Sequence, residues 1–260
     1  MRRLTAILAH AAPPLLVFVG LLLAWHGAVR LADIKPYILP GPLQVGHAAW
    51  THLPQLMRAA LLTGLGALAG FLLSLAVGFA VSVVFAQSRT VARCLFPYAI
   101  FLQTVPIVAI APLIVLWIGH GFRGVVAVSF VIALFPIIAN TTAGLTTVDA
   151  NLLDLFALNN ATRWQVLTRL RIPNAVPHML TGAKISSGLA AIGAIVGEFF
   201  AGYGTEDYGL GYLIILTNGQ SRTDYLFACI LFCTLLGLSI FASVSLVSTR
   251  LLARWGGGLG

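Results

Sequence analysis

The chain has 260 residues, of which 59% are apolar and 8% charged, and its net charge is +8. A soluble domain is roughly 25% charged, so this composition cannot cover a water-exposed surface and points to a polytopic, all-α membrane protein. The basic residues sit in short connections with no interleaved aromatics, which excludes a nucleic-acid groove and makes them determinants of membrane orientation.

The chain opens on Met1-Arg2-Arg3 and an apolar run, which resembles a signal sequence. The run continues almost far enough to cross a bilayer and more spans follow, so it reads as a retained first helix. Spans need about 20 apolar residues, and six stretches qualify: 11–31, 59–87, 93–117, 122–147, 178–202 and 225–252. Runs of this length are helical, because unpaired backbone groups are too costly in lipid and barrel strands are shorter. With the amino terminus inside, Arg2, Arg3, Arg89, Arg93, Arg163, Arg169, Arg171, Arg250 and Arg254 share one side. Arg30, Lys35, Arg58, Arg123 and Arg222 share the other, nine against five. That asymmetry places both termini in the cytoplasm.

The first outer connection, 35–42, is stiffened by three prolines and is expected to lie along the membrane surface. Gly66 and Gly70 in the second span read as a close-packing pair rather than a dinucleotide fingerprint, which would need a preceding strand. The third span holds Pro97, Pro106 and Pro112, and so is expected to be kinked or broken. Gln103, Thr104 and Pro106 are therefore candidates to line a pathway, and Pro136 with Asn140 raises the same question in the fourth span. In the fifth span, Gly182, Ser186, Ala190, Gly193 and Gly197 form a small-residue stripe. Lys184, Ser187, Ala191, Ile195 and Glu198 lie opposite it. Glu198 is the lone carboxylate within a span, a candidate for an outer gate or for structural pairing. The segment 202–212 reads as a glycine-rich outer loop.

Enzymatic motifs are missing: there is no phosphate loop, HExxH, GxSxG or carboxylate pair. Cys94, Cys229 and Cys233 lack the further donors that a metal would need. No catalytic residue, metal or cofactor is expected.

The longest polar-rich interval, 154–177, holds Arg163, Arg169, Arg171, Trp164, Pro173 and Pro177 between two long apolar runs. It resembles the cytoplasmic EAA loop of binding-protein-dependent ABC importer permeases, in the branch that carries sulfonates, taurine, nitrate, thiamine precursors and riboflavin. Asp154 stands at the loop's glutamate position, Leu155 and Phe156 at its two alanines, and Asn160-Ala161-Thr162-Arg163 at its glycine-containing quartet. Pro173 and Pro177 match its proline pair. The segments 39–42, 103–106 and 182–198 also resemble parts of the family, so the likeness covers nearly the whole chain.

The resemblance implies a single permease domain over 1–260 with core helices in about 59–252, a coupling loop at about 148–177, and the six-helix type I importer fold. It also implies an inner-membrane subunit that binds no ATP itself, paired with a second, identical copy and set in membrane lipid. A separate dimer of ABC ATPase subunits would supply the energy and an external solute-binding protein would deliver the cargo. Leu155, Phe156 and Trp164 would anchor the ATPase contact, with arginines at its rim. The run 154–166 and the tail 193–198 look most like permeases for pyrimidine thiamine precursors or riboflavin, with sulfonate, taurine or nitrate as the alternative. An ion-coupled secondary transporter is the rival from another class, and Glu198 is its one candidate coupling group.

Overall fold

The computed structural model describes residues 2–202 and 208–256. Among them the regular elements are all helical. In chain order they are α1 (Arg2–Leu31), α2 (Pro42–Thr51), α3 (Leu53–Gln87), α4 (Arg89–Thr104), α5 (Ile107–Ile118) and α6 (Phe122–Thr146). Then come α7 (Ala150–Leu158), α8 (Arg163–Val166), a π-helical turn (Leu167–Arg171), α9 (Ile172–Ala201), α10 (Leu210–Gly219) and α11 (Thr223–Gly256).

Four described stretches are long and apolar enough to cross a membrane: Leu53–Gln87, Phe122–Thr146, Arg163–Ala201 and Thr223–Ala253. The six expected spans need three corrections. The second begins at Leu53 rather than residue 59, because Pro54 is tolerated in the first turn of α3. The third is broken into α4 and α5: Val105 and Pro106 are extended, at ψ 126° and 115°. Each half is shorter than a bilayer crossing. The fifth starts at Arg163, not residue 178, since α8, the π turn and α9 run on without a gap.

The core forms where small residues let helices approach. α6 lies between α3 and α9, and Ser129 of α6 packs against a glycine on each side. A Cβ on Gly70 of α3 would meet the Ser129 Oγ at 2.4 Å, and one on Gly193 of α9 would meet the Ser129 Cα at 2.7 Å. Polar hydrogen bonds reinforce the contact, as they do inside membranes. Ser129 Oγ donates to the Ala190 carbonyl (2.9 Å), Ser186 Oγ to Ala133 (2.7 Å) and Ser74 Oγ to Phe130 (2.9 Å). Gly182, Ser186, Ala190, Gly193 and Gly197 are all buried, and so are Ser187, Ala191 and Glu198 on the other face of the helix. The Asn140 amide is used locally, donating to the Pro136 carbonyl at 2.8 Å.

The two ends of the bundle differ. At one end, α7 and α8 connect α6 to α9. At the other, α10 is an unexpected helix that begins inside the segment 202–212 read as a glycine-rich loop and runs on to Gly219, and residues 203–207 of that loop lie outside the described residues. Apolar faces of α2, α3, α10 and α11 meet there around Val45, Leu56, Leu210 and Cys229.

Candidate functional site

The α7 end is built from local signals. Asp149 caps α7, accepting the Asn151 N–H at 2.8 Å. The helix then ends in a paired turn: the Ala161 N–H donates to Phe156 O and the Asn160 N–H to Ala157 O, both at 3.0 Å. That pattern requires a left-handed residue where glycine is usual. Asn160 occupies it, with φ 52°, as asparagine does more readily than other side chains. Thr162 starts the next helix through a reciprocal cap with Gln165, whose side chain accepts the Thr162 N–H at 2.8 Å.

The π turn at Leu167–Arg171 has an identifiable cause. Pro173 lacks an N–H and its ring crowds the carbonyl four residues back, so the turn widens by one residue. Pro173 and Pro177 therefore lie in the first turns of α9 and not in a loop, which corrects the expected loop limits of about 148–177. Within 148–177 the non-helical residues are 148–149, ahead of α7, and 159–162.

This end of the protein exposes apolar surface. α7 has no buried residue, and Leu155 (53%), Leu158 (81%) and Trp164 (67%) are among the most exposed large side chains near the turn. Leu155, Phe156, Asn159, Ala161, Gln165 and Arg169 enclose a recess of about 280 Å³. Three of the expected residues, Leu155, Phe156 and Ala161, thus meet in one depression. Asp154, Arg163 and Trp164 are exposed outside it.

Two anchoring residues went unrecognised in the sequence. Arg171, read as a rim contact, donates to the Ala86 carbonyl (2.8 Å) at the end of α3. Asn174 donates to the Gly144 and Thr147 carbonyls (2.9 and 3.1 Å) at the end of α6. Both satisfy carbonyls that a helix terminus leaves unpaired, and they fasten the turn to the two helices beside it. The available signal was their position: polar groups one turn apart at the start of a long helix.

The remaining candidates lie elsewhere. Gln103, Thr104 and Pro106 are exposed at the α4–α5 break, where the Thr104 hydroxyl donates to Phe101 O at 2.9 Å. Glu198 is at the far end of the Arg163–Ala201 helix, only 4% exposed. Its Oε2 accepts the Gly211 N–H at 2.7 Å and the Thr63 hydroxyl at 3.0 Å. Thr63 Oγ1 in turn accepts the Leu210 N–H at 2.9 Å. Together, Glu198 and Thr63 bind the first two amides of α10, where the helix favours an acceptor. Glycine is needed for this approach: a Cβ on Gly209 would fall 1.9 Å from Glu198 Oε1, and one on Gly211 would fall 2.3 Å from Ile195 O.

Comparison with known proteins agrees with this architecture. The sequence profile described as "Binding-protein-dependent transport system inner membrane component" matches residues 70–254. The formylaminopyrimidine transport permease protein ThiX of Halalkalibacterium halodurans is 32% identical, over 94% of this chain and 96% of its own length. The riboflavin transport system permease protein RibX of Chloroflexus aurantiacus is 34% identical, over 90% of this chain and 87% of its own. Among solved structures, a chain of the MetNI methionine ABC transporter in inward-facing conformations superposes with a TM-score of 0.53. It has 17% identity and covers 84% of this chain and 98% of that one.

Proposed function

The chain belongs to the family of binding-protein-dependent transport system inner membrane components, the permeases of ABC importers, and from that premise we propose how this member works. It pairs with a second copy, both termini face the cytoplasm, and the α7–α8 turn seats on a separate ATPase subunit. An external binding protein delivers a small solute to the paired bundles, and closure of the ATPase dimer moves α7 and reshapes the pathway. The observation that carries this reading is the exposed apolar surface of Leu155 and Leu158 on α7 and Trp164 on α8, two helices with no buried residue. Its turn is clamped to α3 and α6 by Arg171 and Asn174. Such a surface suits a partner, and its aromatic and aliphatic anchors are the kind that dominate binding energy.

The solute we favour is a neutral heterocycle of the pyrimidine thiamine-precursor or riboflavin type. The relatives ThiX and RibX support it by name and by near full-length similarity. A sulfonate, taurine or nitrate cargo is the alternative, and the ligand of the cognate binding protein distinguishes the two. The ion-coupled reading is weakened by Glu198, whose carboxyl group already serves the α10 amide and Thr63.

The test is retention of the ATPase subunit during purification of the complex. Replacing both Leu155 and Trp164 by alanine is expected to weaken retention about 30-fold, the effect of losing about 2 kcal/mol of anchor contact. Thermal stability of the permease itself should not change, since both side chains are exposed. Full retention together with undiminished solute uptake would overturn the docking assignment.

A further inference from the structure

Two recesses open along one face of α3, and their chemistry is opposite. The first, about 250 Å³, is lined by the α3 terminus at Ala86 and Gln87, by Ala161 and Val166, and by Arg163 and Arg171. The second, about 480 Å³, is apolar and lies deeper in the bundle, between Leu72, Ala76 and Phe79 of α3 and Ile172, Val176 and Met179 of α9. Residues 72, 76, 79 and 86 follow helical spacing and so share one side of α3. Across the groove, Arg171 of the basic recess is followed directly by Ile172 of the apolar one. The arginines therefore stand at the α7 end of an apolar groove.

Charge and length say what such a groove accepts. Arg171 is held at the mouth by its bond to the Ala86 carbonyl at 2.8 Å. Neither arginine has a carboxylate partner: among the described residues the ion pair is Lys35 with Asp33. Fourteen residues separate Leu72 from Ala86, about 21 Å at 1.5 Å per residue. One leaflet contributes about 15 Å of hydrocarbon. The groove thus reaches through a leaflet's depth, with its positive charge at headgroup level, where basic pockets between membrane helices suit anionic headgroups. A free anion would use the mouth alone and leave the apolar length empty.

We propose that this groove binds one anionic phospholipid, its headgroup phosphate between Arg163 and Arg171 and an acyl chain along α3 and α9. The site does not depend on which solute is carried. It is tested on the full-length chain, purified in detergent and offered phosphatidylglycerol or phosphatidylcholine, with bound lipid counted by native mass spectrometry. The expected result is a one-lipid adduct retained at least tenfold better with phosphatidylglycerol. Arg163→Gln should lower that retention several-fold and Arg163→Lys should restore it. Val176→Trp, which fills the groove, should lower it as well, and Arg123→Gln at the opposite end should leave it unchanged. Equal retention of the two lipids by the wild-type chain overturns the proposal without need of any variant. So does displacement of phosphatidylglycerol by inorganic phosphate with Val176→Trp having no effect, which would mark a site for the anion alone. A crosslink from Val176→Cys to a second copy or another protein in native membranes would show that protein covers the groove, and would equally overturn it.

Discussion

Removing the Glu198 carboxyl group separates a structural clasp from a transport group. In Glu198→Ala, the Gly211 N–H loses its acceptor at 2.7 Å in a buried position. A buried donor left unpaired costs about 1–3 kcal/mol, and the lost interaction with the start of α10 adds about 0.3–1 kcal/mol. The Thr63 hydroxyl contributes little to the loss, because it also lies 3.0 Å from the Ala59 carbonyl and can turn to it. The expected total of about 1.3–4 kcal/mol corresponds to a melting point lowered by about 3–16 °C for a chain of this size. Glu198→Gln keeps an acceptor for Gly211 and should cost about 1 kcal/mol or less. The assay is thermal unfolding of the purified protein in detergent, with Thr63→Val alone and combined with Glu198→Ala. Residues in one hydrogen-bond network couple by about 0.5–3 kcal/mol, so the double variant should lose less than the sum of the singles. A Glu198→Ala protein that melts with the wild type refutes the clasp. A Glu198→Gln protein that melts normally yet transports nothing would assign the carboxyl group to the transport step itself.

Four further substitutions, at three positions, probe the other end and the core. Asn160→Gly should be neutral, whereas Asn160→Val should cost about 1–2 kcal/mol at the left-handed backbone position and weaken ATPase retention, both measured on the same preparations. Gly193→Leu should cost about 3 kcal/mol or more, because the first added atom meets the Ser129 Cα at 2.7 Å. Gly188→Leu, where nothing lies within 4 Å of the added Cβ, should yield as much monodisperse protein by size exclusion as the wild type.

The apolar runs were legible because bilayer thickness sets their length, and the small-residue stripe of α9 was legible because its period is helical. The α4–α5 break was only half legible: three prolines announce a distortion, but the sequence does not say which one stops the helix. The start of α9 was misread since Pro173 and Pro177 look like loop residues. A helix absorbs the first by widening one turn and the second near its amino-terminal end, where few bonds are lost. α10 was hidden because its ten residues, two of them glycines, fall below the length of a span. The partner of Glu198 could not be read at all, for Thr63 is 135 residues away in the chain. At the candidate site, the residue types of the turn were visible. The anchoring by Arg171 and Asn174 depends on where α3 and α6 end in space, which no local pattern encodes.

The π turn at Leu167–Arg171 fixes an angle as well as a length. Each residue of an α-helix advances the chain by about 100°, but the widened turn takes up its additional residue within a single turn, and so holds the rotational phase between the α7–α8 surface and everything beyond Ile172. The same residue added to a helix that kept its ordinary turns would swing Leu155 and Trp164 through more than a quarter turn about the helix axis while leaving every exposed side chain chemically unchanged. The five-residue turn acts like a key on a shaft: it settles which way the exposed apolar surface points, and the contact proposed for the ATPase subunit depends on that direction as much as on the residues.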